Sequence, residues 1–285
     1  MSDIKLDYAV PSADLADYIT LFYHFKADVD RFEDPERADH AQVRLVLTHG
    51  GTQYHFPDGS VQVSPDFHII GPTSGAMHVR SVGPVWGIGM GVTPLGWAAL
   101  LGSDASSMLN RVIDAGGPFG AVRLRSAAAA IRAAPDVPAR LAILESLMRE
   151  LLHAGDRRAG AFVRQVDAWL SASPSPEMSE LIATTGLSRR QIERKCNALY
   201  GAPPKLLARK YRALRAAVVL ASEGGDVDDV IARGFYDQSH LIREVKHFTG
   251  LTPRQIRAAP TALAQLTISK RMALGGKVSP IISAT

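Results

Sequence analysis

Two periods of hydrophobicity divide the chain. From Tyr18 to Thr93 the apolar residues form short runs or alternate with polar ones: YITLFYHF, QVRLVLT, TQYHF, VQVS, FHII, AMHVRSV and VWGIGMGV. Runs of this length, rich in aromatic and β-branched residues, predict strands. PDG at Pro57 to Gly59 and GPTSG at Gly71 to Gly75 supply the turns between them. Closely spaced short strands of this kind predict a sandwich or small barrel. The polar, charged stretch FKADVDRFEDPERADHAQ predicts a loop.

After Pro94 the period becomes helical. PLGWAALLG, AVRLRSAAAAIRA and PARLAILESLMRELLHA each predict a helix. The third carries Leu141, Leu144, Leu147, Met148, Leu151 and Leu152 on one face, a stripe that suits either an intramolecular core or a dimer seam. From Gly160 onward helix and turn alternate, beginning with AGAFVRQVDAWLSAS and the breaker PSPEM. The tail TALAQLTISKRMALGGKVSPIISAT predicts a helix that frays after Gly275 and Gly276; no function is assigned to it.

One pattern occurs twice. Sliding GLSRRQIERKCNALYGAPPKLLAR by 49 residues onto GFYDQSHLIREVKHFTGLTPRQIR superposes Ile192 on Leu241, Arg194 on Arg243, Leu199 on Phe248, Gly201 on Gly250 and Pro204 on Pro253. Each copy follows a short helix and a glycine, EMSELIATTG and DVDDVIARG, which is the build of a helix-turn-helix unit. Gly186 suits the left-handed turn, and Ser188 and Asp237 are placed to cap the second helix of each unit. Helical spacing turns Ile192, Cys196 and Leu199 inward, and likewise Leu241, Val245 and Phe248. Arg189, Arg190, Glu193, Arg194 and Asn197 are left outward in the first copy. In the second, Gln238, Ser239, His240, Arg243, Lys246 and His247 lie outward or toward the ends. Between the copies, PPKLLARKYRALRAAVVLAS has no interior breaker and predicts one long helix that holds the two readers apart.

Charge agrees with that division. The net charge of +4 resolves into −4 for residues 1–159 and +8 for residues 160–285. Basic side chains that neutralise phosphates release condensed counterions, so the second half is the natural partner for a polyanion. On a reading helix, Arg can donate two bonds to guanine, Gln can bracket adenine, and Ser or His can reach bases or phosphate. A stiff spacer is the simple way to place two such helices about 34 Å apart, one duplex turn. The plainer reading of the same residues is a helical bundle with a charged exterior.

Other chemistry is thin. Cys196 is the single cysteine, which excludes a disulfide framework or a multi-cysteine zinc site and reads as a small buried hydrophobe. His49, His55, His68 and His78 fall on predicted strands, but no His-x-His occurs, and no metal site is assigned. No nucleophile elbow, phosphate-binding loop or His-Glu-x-x-His is present, and no catalytic residue is named. Trp86, Trp97, Tyr23 and Tyr54 suit an effector pocket or an aromatic core equally. No apolar run reaches membrane-spanning length, and MSDIKLDYAV lacks the regions of a secretion signal. The expected location is the cytoplasm.

GFYDQSHLIREVKHFTGLTPRQIR resembles the second helix-turn-helix of the AraC/XylS family of bacterial transcription regulators, and GLSRRQIERKCNALYGAPPK is similar to the first. The resemblance covers about residues 160–258. It departs from the family at Cys196, Val245 and Leu241, where Phe is usual. It implies an α+β chain: a β-barrel, cupin-like sensing or dimerisation domain over 1–118 and connector helices over 119–159. An all-α DNA-binding domain with two helix-turn-helix units then covers 160–260, and a tail follows at 261–285. By motif position it places Arg190, Glu193, Arg194, Gln238, Ser239, His240 and Arg243 toward bases, with Lys195 and Lys246 toward phosphates and Arg189 beside them. The implied protein is a regulator and not an enzyme, with no cofactor. Its expected partners are double-stranded DNA, a small effector, RNA polymerase and a second copy of the chain.

Overall fold

Alternating side chains give the first hundred residues two antiparallel sheets. The computed structural model describes residues 4–48, 51–152, 159–222 and 225–285. Its strands are β1 (Ile4–Ala9), β2 (Ile19–Ala27), β3 (Arg31–Glu36), β4 (Ala41–Val46), β5 (Gln53–His55), β6 (Val61–Val63), β7 (Phe67–Ile70), β8 (Met77–Val82), β9 (Val85–Val92) and, after a helix, β10 (Val112–Asp114). Among the described residues one sheet runs β1-β2-β9-β4-β7-β10 and the other β3-β8-β5-β6. Their inner faces meet through Phe32, Tyr54, Met77 and Val79 of the smaller sheet and Ala27, Ile70 and Val85 of the larger.

Two sequence expectations change here. The charged stretch 25–42 is not simply a loop: it contains β3, paired with β8 from Arg31↔Val82 to Glu36↔Met77. Its alternation is real but reversed in emphasis, with Phe32 and Asp34 inward and charged Arg31 and Glu33 outward. β1 lies ahead of the predicted strands; its Ile4, Leu6 and Tyr8 alternate with Lys5 and Asp7, and it is an edge strand that pairs only with β2 among the described strands.

The helices are α1 (Pro94–Leu100), α2 (Gly116–Phe119), α3 (Ala121–Ala133), α4 (Val137–Leu152), α5 (Gly160–Ala172), α6 (Met178–Thr185), α7 (Arg189–Tyr200), α8 (Pro204–Ala221), α9 (Val227–Ala232), α10 (Gln238–Thr249), α11 (Pro253–Ala258), α12 (Ala262–Met272) and α13 (Pro280–Ser283). Thr93 caps α1, its hydroxyl accepting from Gly96 N at 2.9 Å. On α4, Leu144, Leu147, Met148 and Leu152 are buried while Leu141 and Leu151 are half-buried, so most of the stripe is spent within the chain. The end of that helix prediction, His153 and Ala154, lies outside the described residues, as does His49.

The main core runs across the division between strands and helices. It joins Leu15, Ile19 and Met90 to Trp97, Leu144, Val166 and Leu170, and on to Ile192, Cys196 and Tyr211. The second repeat unit has a smaller core of its own, with Leu220, Val230, Phe235, Leu241, Val245 and Ile256. The tail does not fray as expected. α12 packs on β1 and β3, with Lys270 Nζ 3.1 Å from Asp7 and Arg271 Nη2 2.5 Å from Asp39. Beyond the glycines, Ile281 and Ile282 enter the main core. Gly275 and Gly276 are a bend between two docked segments, not the start of a loose end.

Candidate nucleic-acid interface

The sequence dictates the build of each unit locally. α6 ends at Gly186, which takes φ 66° and ψ 11°, and Ser188 then caps α7. Ser188 and Gln191 form a reciprocal capping box, which satisfies donors at the start of α7 that would otherwise lack partners. In the second unit Asp237 caps α10, its carboxylate accepting from His240 N at 2.6 Å. Both α7 and α10 end on a left-handed glycine, Gly201 with φ 75° and Gly250 with φ 79°. α8 is one helix of 18 residues, about 27 Å long at 1.5 Å per residue.

The inward positions pack as the spacing predicts. Ile192, Cys196, Leu241, Val245 and Phe248 are fully buried and Leu199 half-buried. The smaller residues at 241 and 245 lie in the second core with Phe235, Leu251, Ile256 and Ala216, and Cys196 is buried in the main core. Burial pushes the Cys196 thiol up to about 12, which makes it inert as a nucleophile.

The outward positions divide. Arg190, Arg194, Gln238, Ser239, Arg243 and Lys246 are exposed and make no side-chain hydrogen bond or ion pair among the described residues. Arg189 is exposed but paired to Glu193 at 3.0 Å along the helix. Lys195 is exposed, with Nζ 5.3 Å from the centre of the Phe162 ring on α5. His240 is half-buried: its ring packs edge-on against Phe235, and Nδ1 accepts from Tyr236 N at 3.2 Å. That bond leaves the ring proton on Nε2, the free edge. His247, read as outward or toward the ends, is exposed in the last turn of α10, and its Nε2 donates to the Ser74 carbonyl of the strand region at 2.9 Å.

Two features were not legible in the motif. Glu244 sits on α10 with its side chain 7% exposed, and Arg209 of α8 grips it with two bonds of 2.9 and 2.7 Å. Burial alone would raise that carboxyl, but the guanidinium holds it below its ordinary range. This pair locks α10 to α8. Tyr236, in the turn before α10, is 91% exposed; a large exposed aromatic beside the caps was the available signal.

A cavity of about 130 Å³ lies where the strands meet the helical half, with apolar walls from Phe32, Val79, Leu214, Ile256 and Leu263. Tyr23, Tyr54 and Trp86 line it, whereas Trp97 is core. Its polar side is one network: Arg44 donates to Tyr23 Oη at 2.7 Å, to Gln42 Oε1 at 2.6 Å and to Tyr54 Oη at 3.3 Å, and pairs with Glu36. Gly89 of β9 makes room for this network, because a side chain there would meet the Tyr23 hydroxyl at 2.5 Å. His68 Nδ1 donates to the Pro65 carbonyl at 2.8 Å, so Nε2 accepts from Tyr54 Oη at 3.0 Å. Burial drives the imidazole down to about 3 and keeps it neutral. His55 and His78 face one another across β5 and β8. Among the described residues no group of three or more His, Cys, Asp or Glu is arranged to hold a metal ion.

Residues 181–259 match the model of a helix-turn-helix domain, and residues 8–114 match that of a domain of unknown function. No curated protein matches the chain in sequence. Among solved structures, apo ToxT from Vibrio cholerae strain SCE256 is 7% identical with a TM-score of 0.44, covering 92% of this chain and 99% of its own. Wild-type ToxT from the same strain, bound to an unsaturated fatty acid, is 8% identical with a TM-score of 0.46 over 81% and 93%. The AraC-like transcriptional activator CuxR is 14% identical with a TM-score of 0.33 over 74% and 86%.

Proposed function

We propose that this chain, a DNA-binding transcription regulator by its AraC-type helix-turn-helix domain, reads two successive major grooves with α7 and α10. The observation that carries the reading is the repeated, capped helix pair whose arginine-, glutamine- and serine-bearing faces are exposed and unspent. Arg190, Glu193, Arg194, Gln238, Ser239, His240 and Arg243 meet base edges. Arg189, Lys195 and Lys246 meet phosphates, which fix register without reading sequence. Glu193 restrains Arg189 in the free protein, and His240 offers its Nε2 proton.

The proposed division is a sensing domain over 1–118, a connector over 119–159 and the DNA-binding domain over 160–260. The tail follows as a docked segment. The cavity at their junction takes a compact, mainly apolar effector, since a dry site of about 150 Å³ holds a benzene-sized molecule. The protein is assigned no reaction, works in the cytoplasm, and acts with RNA polymerase and a second copy of itself. Among the described residues no helix is long and apolar enough to cross a membrane.

The test is a salt titration on duplexes selected from a random pool. Affinity should fall by roughly 10³ to 10⁵ between 50 and 200 mM salt for six to ten phosphate contacts. Arg243→Ala should cost about 1–3 kcal/mol at one base position and relax specificity there. Salt-independent binding would refute the reading, and a uniform loss across sequences would move Arg243 to the backbone.

A further inference from the structure

The turn Gly71–Ala76 touches the C-terminal ends of both reading helices. At α7, Pro72 lies against Gly201 so closely that a side-chain carbon on that glycine would sit 3.0 and 3.1 Å from the proline ring. At α10, the Ser74 carbonyl accepts from His247 Nε2 at 2.9 Å, and Ala76 N donates to the His247 carbonyl at 2.8 Å. Gly75 leaves no spare room there: an added carbon would lie 2.9 Å from His247 Cε1 and 3.0 Å from its carbonyl oxygen.

The turn itself is held hard. Asn110 takes φ 56°, the one non-glycine residue with positive φ among those described. Its Oδ1 accepts from Ser74 N at 3.0 Å, its Nδ2 donates to Ser74 Oγ at 2.9 Å, and its backbone N donates to the Pro72 carbonyl at 3.0 Å. A second strand-region contact braces the same helix end, where Ala38 N donates to the Phe248 carbonyl at 2.7 Å.

The two helices differ in how they are otherwise fixed. α7 belongs to the core shared with the strands, while α10 gives Leu241 and Val245 to the small second core and Phe248 to a cluster with Ala38, Ala213 and Leu214. α8 joins the units and is locked to α10 by the Arg209–Glu244 pair, so the angle left to fix is that of this locked pair against α7. A third contact makes the arrangement a triangle.

We propose that the Gly71–Ala76 turn is a spacer that sets the separation and angle of α7 and α10, and thereby the distance between groove sites that the protein accepts on DNA. This rests on the two-groove reading above. One inserted base pair moves the second site by about 3.4 Å along the axis and about 35° around it. A reader braced at three points cannot follow such a shift.

The full chain carrying Arg190→Cys and Arg243→Cys is spin-labelled and the inter-label distance measured by double electron–electron resonance without DNA. Buried Cys196 does not react. The expected result is one narrow distance, which shifts or broadens by several ångströms when Gly75→Leu is added. His247→Ala, which removes the bond without crowding, should broaden it if the leucine variant fails to fold.

In parallel, unlabelled proteins bind a selected duplex with one to three base pairs inserted between its halves. The unsubstituted protein should lose at least about tenfold at the first insertions. Gly75→Leu should bind the original spacing about tenfold more weakly, flatten the series, and keep the affinity for a single half. Identical distance distributions, or superimposable insertion series, overturn the spacer. If the unsubstituted protein selects no duplex, the DNA reading falls and takes the groove spacing with it, while the spin-label distances still decide whether the turn sets the separation of α7 and α10.

Discussion

His68 shows how one buried side chain ties stability to pH. In the unfolded chain the imidazole takes up a proton near 6.5, and in the fold burial depresses it to about 3. Below 6.5 the unfolded state binds a proton that the fold refuses, so stability present at neutral pH is lost as pH falls toward 3. The slope is about 1.4 kcal/mol per pH unit, or about 2–3 kcal/mol by pH 4.5. His24 and His40, also lowered chiefly by burial, act in the same sense. Asp167, raised by burial to about 6, opposes them by favouring the fold as pH drops from 6 toward 3.8. Urea midpoints between pH 7 and 5 should therefore decline, and His68→Gln should flatten the decline; an unchanged slope would remove His68 from the account. None of this was legible beforehand. A histidine in FHII reads the same whether it meets water or a tyrosine hydroxyl, because the deciding neighbour, Tyr54, lies on another strand.

Among elements, the helices were the most legible and the edges the least. Caps and terminators are local, so Ser188, Asp237 and Gly186 announced the geometry they adopt. β3 was hidden because its outward residues are charged and its proline, Pro35, reads as a breaker; an edge strand tolerates both. α12 was legible as a helix, but its docking and α13 were hidden because two glycines suggest looseness, and the apolar Ile281 and Ile282 find their partners far away in sequence. Gly250 offers a direct check on α10. Gly250→Ala would force a side chain into φ 79° and place it 2.5 Å from Pro35 Cβ. The left-handed strain costs about 1–2 kcal/mol, and the clash adds to it. The melting temperature should fall, while the equivalent change at Gly59, which has nothing within 4 Å, should cost only the strain. Equal losses at both sites would mean that Pro35 yields freely.

On the scale of the whole molecule, the division suggested by hydrophobic period and charge is real in secondary structure but not in packing. Leu15 and Tyr211 share one core, and Asp39 of the strand half is gripped by Arg271 of the tail while its backbone carbonyl accepts from Lys210 at 3.2 Å. Burial alone would raise the Asp39 carboxyl, but Arg271 and Arg37 hold it far below its ordinary range, so the grip is between charged groups. Calorimetry should accordingly record one dominant transition for both halves, with van't Hoff and calorimetric enthalpies in agreement. Two well-separated transitions would show that the shared core contributes little. Motif reading could not foresee this, because each helix-turn-helix unit looks self-sufficient in sequence, and only the second nearly is.

The burial of Ile281 and Ile282 in one core with Leu15 and Ile19 has a consequence for biosynthesis. A nascent chain on the ribosome cannot close its principal core until those two isoleucines have left the exit tunnel. The inner faces of the two sheets can meet before then, but the apolar residues of the principal core stay accessible to chaperones and proteases until the two isoleucines arrive.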